Sequence, residues 1–332
     1  MGAMQAQDYA MAKWAIGTRI SELTDENIEA SLNKGEIIRT HLMRPTWHFV
    51  ATEDVYWMLE LTAPHIKSAI HTRHQQLGFS EDIMTKSSRI LTKALEKAGS
   101  LTRVELSELY RKNGIRTDEN RLSHLMLRGE MDGIVCSGPV KNGKQTYALL
   151  KERVPKGKIL TREESLAELA KRYFTSHGPA TLQDFAWWSG LYAGEMKLAM
   201  ELIRRTLHSE TSGTEKYWFK ENHSVPVSPK NSVFLLPAFD EFLVSYKDRS
   251  ASLSPVNNPQ AVSNNGIFYP VIVVDGKVTG HWTRKKEKSR IMIELSFFSP
   301  LSRSIRNHAG DAAKRYARFL GIEKESEIVF KE

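Results

Sequence analysis

A chain of 332 residues, 41% of them hydrophobic, can build two or three cored domains, which excludes global disorder. Its formal net charge of +8 makes a polyanion the first candidate partner. The single cysteine, Cys136, excludes an intrachain disulfide and a cysteine-built zinc site, and its place in the apolar run Gly133–Cys136 predicts a buried thiol.

In chain order, Gln7-Asp8-Tyr9-Ala10 opens a short helix containing Trp14, with Asp8 as the start signal. A helix over Asp25–Leu32 follows, then strands over Ile37–Met43 and Thr46–Val50. That is the order of a winged helix without its first helix, so we expect the missing helix upstream of Met1. A long helix from Glu53 to about Leu77 leads to a second unit. There, Ser88–Lys97 is helical and stops at Gly99. Thr102-Arg103-Val104-Glu105 is a capping box that opens a helix ending near Asn113-Gly114. Asp118–Arg128 is a third helix, and strands Gly133–Ser137 and Gln145–Leu150 flank an Asn142-Gly143 turn.

A similar order recurs downstream: a helix over Ser165–Ser176, a break at Gly178-Pro179, a capped helix from Thr181 through Trp188, and a helix over Ala193–Leu207. Tyr217-Trp218-Phe219 completes it as a wing strand. Gln183-Asp184-Phe185-Ala186 echoes Gln7-Asp8-Tyr9-Ala10, which reads as a repeat. Beyond it, Val233–Leu236, Glu241–Tyr246, Phe268–Val274, Lys277–Trp282 and Ile291–Phe298 read as strands, with Asp275-Gly276 as a tight turn and Leu301–Phe319 as a basic amphipathic helix. Asn257–Asn265 reads as a polar loop. The fold expected is α+β: tandem winged-helix (helix-turn-helix) units over 1–82, 83–155 and 156–230, then a C-terminal β-domain over 231–332 closed by a helix.

Gln5 and Gln7 precede the first helix, and in extended backbone residues two apart share a face. Two carboxamides side by side offer donors and acceptors that can hold a water, a phosphate or a base edge; the bland alternative is solvated glutamines before an Asp8 cap. In Arg44-Pro45-Thr46-Trp47-His48-Phe49, Arg44, Thr46 and His48 alternate with Pro45, Trp47 and Phe49, which predicts one polar and one apolar strand face. This pattern suits contact with an opened duplex, or equally an ordinary wing with Trp47 on the core and His48 in water. Asn120, Arg121, His124 and Arg128 are placed as a recognition helix would place its contacts. The run Arg284-Lys285-Lys286-Glu287-Lys288-Ser289-Arg290 either grips phosphates or is a solvated turn. His65, His71 and His74 lack the further ligands of a metal site, and no phosphate loop, HExxH or Gly-x-Ser-x-Gly is present. Phe239-Asp240-Glu241 with Lys247-Asp248-Arg249 reads as a structural ion network. No apolar run approaches the ~18 residues of a membrane span, and Met1-Gly2-Ala3-Met4 is no signal peptide. We expect a cytoplasmic monomer.

Several stretches resemble the AlkZ/YcaQ family of bacterial DNA glycosylases: Met4-Gln5-Ala6-Gln7, Arg39–Val50, Arg172-Tyr173-Phe174 with Gly178-Pro179-Ala180-Thr181, Leu236–Glu241, and Gly266–Pro270 with Asp275-Gly276. The resemblance implies three tandem winged helices with a C-terminal β-domain, double-stranded DNA carrying alkylated bases as partner, no cofactor, and excision of N-alkylated purines with some unhooking of interstrand crosslinks. It also implies a catalytic Gln-x-Gln motif at Gln5 and Gln7, with a water positioned at the sugar. A non-enzymatic DNA-binding regulator is the competing reading, and a partner that binds adducts without cutting them is a remoter one.

Overall fold

The computed structural model describes residues 1–220, 230–287 and 290–331. Strand β1 (Ala3–Gln5) bends into helix α1 (Tyr9–Gly17), whose first turn is capped by the Asp8 carboxylate accepting from the Met11 amide at 3.0 Å. Helix α2 (Asp25–Lys34) carries Asp25 and Glu26 in its first turn and Lys34 in its last, matching the helix dipole. Strands β2 (Ile37–Leu42) and β3 (Thr46–Ala51) form an antiparallel hairpin that sets His41 opposite Trp47 and Arg39 opposite Phe49. Helix α3 (Val55–Gln76) is followed by α4 (Glu81–Ala98), which ends where Gly99 takes φ +71°.

Next come β4 (Ser100–Thr102), α5 (Arg103–Lys112), α6 (Arg121–Met131), β5 (Val135–Ser137) and β6 (Thr146–Leu149). Thr102 and Glu105 make both bonds of the capping box at the start of α5. The three strands form one sheet in the order β4-β6-β5. Helix α6 begins three residues later than the sequence reading placed it, because Glu119 and Asn120 hold positive φ (51° and 67°) and interrupt the helix. Beyond these lie α7 (Leu150–Arg153), α8 (Arg162–His177), α9 (Leu182–Ser189), α10 (Ala193–Ile203), β7 (Leu207–Ser212) and β8 (Glu215–Lys220). Leu207 does not extend α10 as expected; it pairs with Lys220 and opens the β7–β8 hairpin. Asp184 is the capping-box partner of Thr181, three residues into its motif, whereas Asp8 is itself the cap. The tetrapeptide echo is therefore not a structural repeat.

The remaining elements are β9 (Val233–Leu236), α11 (Glu241–Val244), α12 (Asn258–Ala261), β10 (Val271–Val274), β11 (Lys277–Glu287), β12 (Arg290–Phe297), α13 (Arg303–Phe319) and β13 (Ser326–Lys331). Five strands form one sheet in the order β13-β12-β11-β10-β9, with β13 parallel to β12 and the other pairs antiparallel. The expected strand over Glu241–Tyr246 is instead the helical turn α11. Phe239 has φ 57°, and the Asp240 side chain accepts from the Phe242 amide at 2.9 Å, which starts a helix.

The chain divides into two compact units, Met1–Ala3 with Ser31–Lys220 and Met4–Ala30 with Glu221–Glu332. The division at Ala30 falls inside the expected first winged helix, 1–82; residues 221–229, expected to end the third, lie outside the described residues. In the first unit, Leu91, Leu95, Leu106, Tyr110, Leu125 and Val135 share one core. Cys136 is buried, and burial pushes its thiol up to about 12, so it stays protonated. In the second unit the Tyr316 ring packs 5.0 Å from Trp14 and 4.9 Å from Trp282. The two indole N–H groups donate to the Leu235 and Leu236 carbonyls at 2.7 and 2.8 Å. No described helix is long and apolar enough to cross a membrane. Because Trp14 supplies both a ring to this stack and a donor to β9, Trp14→Ala is expected to cost roughly 3–5 kcal/mol of stability, measured by urea denaturation.

Candidate active site

Gln5 is the last residue of β1 and is 7% exposed. Its amide N–H donates to Glu241 Oε1 at 2.6 Å, and the other carboxylate oxygen of Glu241 accepts from the Ser245 hydroxyl. Glu241 is 2% exposed, so both bonds are made where water cannot replace them. Its neighbour Asp240 holds Arg19 through two bonds, at 2.9 and 2.8 Å. Burial works against the Arg19 charge, but the paired Asp240 holds the guanidinium above its ordinary range. Asp240, the cap of α11, and Glu241, its first residue, thus grip the chain on both sides of α1. Between the glutamines, Ala6 is 0% exposed, so a larger side chain would meet packed atoms. Gln7 is half-buried in the bend that ends at the Asp8 cap.

The first turns of α1 carry a charge cluster. Lys13 Nζ lies 2.8 Å from both Asp25 and Glu29, and the Tyr9 hydroxyl donates to Glu29 at 2.9 Å. Burial pushes the Tyr316 hydroxyl up to about 12, against the opposing pull of Arg284, and the Asp25 and Asp8 charges push the same way as burial. Arg284 donates to that hydroxyl and lies 5.6 Å from the ring centroid. Tyr316 is therefore a neutral phenol at physiological pH. The ionisable groups around the glutamines, Asp8, Lys13, Asp25 and Glu29, are engaged in the helix cap and in this charge cluster.

The residues singled out in the hairpin take unexpected positions. His48 is 1% exposed, with Nδ1–H donating to the Thr46 carbonyl at 3.0 Å, so it is not the solvated side chain of an ordinary wing. Thr46 is half-buried with its hydroxyl enclosed. Trp47 faces the other way, with the Arg39 guanidinium 4.3 Å from its ring and the His41 ring at 4.6 Å. His41 is in turn paired through Nδ1 with the buried Glu130 of α6. Arg44, in the turn, lies over the Trp187 ring at 5.5 Å.

On α6, Arg121 is 8% exposed, stacks on Phe79 at 4.3 Å and donates to the Leu77 carbonyl at the end of α3. Arg128 is held by Asp132 at 2.8 Å and by Glu81 at 3.2 Å. His124 packs its ring 5.1 Å from His74. Most of α6 is buried. In the structure these residues cap and brace helices. His65 lies 2.9 Å from Glu195, and no group of three or more metal-binding side chains gathers among the described residues. In the basic run, Lys285 pairs with Glu287 at 2.7 Å, Lys286 is exposed, and Lys288 and Ser289 lie outside the described residues.

A family model described as DNA glycosylase AlkZ-like matches residues 1–319. The chain belongs to the AlkZ-like DNA glycosylase family. Among its relatives is an interstrand DNA cross-link repair glycosylase of Streptomyces sahachiroi, 23% identical over 300 residues, covering 84% of this chain and 79% of the relative. The solved DNA glycosylase AlkZ of the same organism superposes with a TM-score of 0.81 at 19% identity, over 99% of this chain and 91% of that one, a likeness of fold. This AlkZ-like chain is thus an enzyme of the class that hydrolyses N-glycosyl bonds.

Sequence reasoning missed Glu241, Arg19 and Tyr316 in this AlkZ-like protein. Glu241 is 236 residues from Gln5, beyond any local pattern. The acidic pair Asp240-Glu241 is the one available signal, and Asp240 pairs with Arg19, a partner outside the ion network expected with Lys247-Asp248-Arg249. Removing the carboxylate with Glu241→Ala leaves the Gln5 amide buried without its acceptor. The expected cost is about 1–3 kcal/mol of stability, with Glu241→Gln retaining most of it in the same melt.

His74 gives a second prediction. Burial, followed by the charges of His124, Arg128 and His71, lowers its imidazole from 6.5 to about 4. Above 6.5 the ring is neutral in both folded and unfolded chains, and its contribution is complete. As pH falls from 6.5 to 4 the unfolded chain takes up a proton that the folded one refuses, so stability falls. His74→Phe should flatten the loss over that window in denaturation curves recorded at successive pH values; equal slopes for the two proteins would refute the assignment.

Proposed function

We propose that this chain excises N7-alkylated purines from double-stranded DNA as a monofunctional glycosylase, with Gln5 and Gln7 positioning the attacking water. The observation that carries the reading is the anchoring of the Gln-x-Gln segment: Gln5 pinned through its backbone to Glu241, Ala6 sealed, and Asp8 capping the helix that follows. An N7-alkylated purine is already cationic. When the bond from the sugar C1′ to N9 breaks, the electron pair neutralises the base, and it departs without a proton from the protein. Water then adds to the oxocarbenium-like sugar and loses its proton to solvent. A carboxamide oxygen orients that water and a second carboxamide steadies the sugar or base, a positioning and electrostatic contribution.

The organisation that accompanies this reading is three winged-helix units and a C-terminal β-domain. The order α4, β4, α5, α6, β5, β6 supports the middle unit most directly. The cross-link repair named for the Streptomyces relative extends the proposed substrates to crosslinked purines. The regulator reading is weakened by α6, which would be the recognition helix but is buried along most of its length.

The test is release of N7-methylguanine from methylated duplex DNA. Gln5→Ala combined with Gln7→Ala is expected to lower the rate by at least about 100-fold while the thermal melt is retained. A folded double variant that releases base at the unmodified rate would remove these residues from the chemistry.

A further inference from the structure

The tandem Trp187-Trp188 splits its two indoles between opposite environments. Consecutive helical residues point about 100° apart. Trp188 is accordingly buried against Tyr173, with centroids 5.0 Å apart, while Trp187 is 41% exposed. An exposed indole offers a large rigid π-face at little conformational cost. Its environment is organised: the Arg44 guanidinium lies 5.5 Å from the ring centroid, and Arg44 sits in the tight turn between β2 and β3. That turn is seated on the end of α9 at Gly190, where φ is +70° and a Cβ would stand 2.6 Å from the Met43 carbonyl oxygen. Only glycine allows the approach that brings Arg44 over Trp187. Pro45, next in the turn, is exposed as well.

We propose that Trp187, braced by Arg44, is a stacking platform for a DNA base that has left its neighbour, with Arg44 also contacting the adjoining phosphate. Every base has a π-face, so such a platform is sequence-tolerant, and a guanidinium beside an aromatic plane serves both the base and the backbone. The chain's net charge of +8 fits a polyanion better than an acid-poor protein surface. Duplexes in which one base has been moved out of the stack are where such a face becomes available. The inference rests on the DNA-binding part of the proposed function and is independent of which residues cut.

The test is fluorescence anisotropy with a duplex carrying a stable abasic-site analogue, which cannot be hydrolysed. Trp187→Ala is expected to weaken binding by about 5- to 150-fold, and Trp187→Phe by only a small fraction of that. Arg44→Ala should reduce the salt dependence of binding by about one ion. Arg44→Lys should keep that dependence but lose the coupling to Trp187 in a double-mutant cycle. Wild-type affinity in a Trp187→Ala protein of unchanged melting temperature would overturn the proposal. Loss of binding by Trp187→Ala, together with no release of N7-methylguanine by the unmodified protein, would support the platform and refute the excision chemistry.

Discussion

A carboxylate shut away from water persists only when its lone pairs are taken, because the ionised group otherwise loses its hydration without replacement. Glu241 meets that condition with the Gln5 amide on one oxygen and the Ser245 hydroxyl on the other. The consequences run in both directions along the chain. The residues around Glu241 must turn helically for Ser245 to reach back four positions, so the segment cannot be the strand its apolar residues favour. At the other end, the backbone entering α1 is fixed at Gln5, and the Asp8 cap fixes it again three residues later. The two glutamines occupy a span with little freedom to wander, and Ala6 is the small residue that such a span permits.

The same unit uses aromatic side chains as structural donors. Trp14 and Trp282 bring ring area to the core and hand their N–H groups to consecutive carbonyls of β9, and Tyr316 packs against both. A buried phenol needs a partner for its hydroxyl, and Arg284 supplies it. That demand explains why Arg284 does not stand with Lys285 and Lys286 in an open basic run. Side chains alternate along β11, so Arg284 and Lys285 point to opposite faces of the strand. A count of cations along the strand therefore overstates what any one face can offer to phosphate.

What was legible in the sequence was what is decided locally. The Asp8 cap, the Thr102–Glu105 capping box and the Asn142-Gly143 and Asp275-Gly276 turns depend on residues within three positions of one another, and they are found where expected. Errors gathered where distant contacts decide. Strand β4 has three residues and exists because β6 pairs with it. Positive φ at Glu119 and Asn120, which no rule of composition demands, sets the start of α6. Alternation along β3 separates His48 from Trp47 but does not decide burial: His48 and Phe49, on opposite faces, are both buried while Trp47 stands between Arg39 and His41. The glutamines of the candidate site came from the family resemblance; periodicity alone left them indistinguishable from a solvated helix start.

Arg121 and Arg128 show why basic residues on a helix are weak witnesses to DNA contact. A guanidinium carries five donors in a rigid fork, and it terminates a helix or ties two segments as readily as it binds a phosphate. Arg121 serves the end of α3, and Arg128 joins α6 to Glu81 across the start of α4. With these cations engaged inside the protein, a sequence-reading mode through α6 would need other contacts or the release of these partners. Excision of a cationic base makes no such demand. It asks for a polar segment held still beside a nucleotide, because the leaving base takes up its electron pair unaided. The chemistry proposed at Gln5 and Gln7 is thus the one for which a rigidly anchored pair of carboxamides is an advantage.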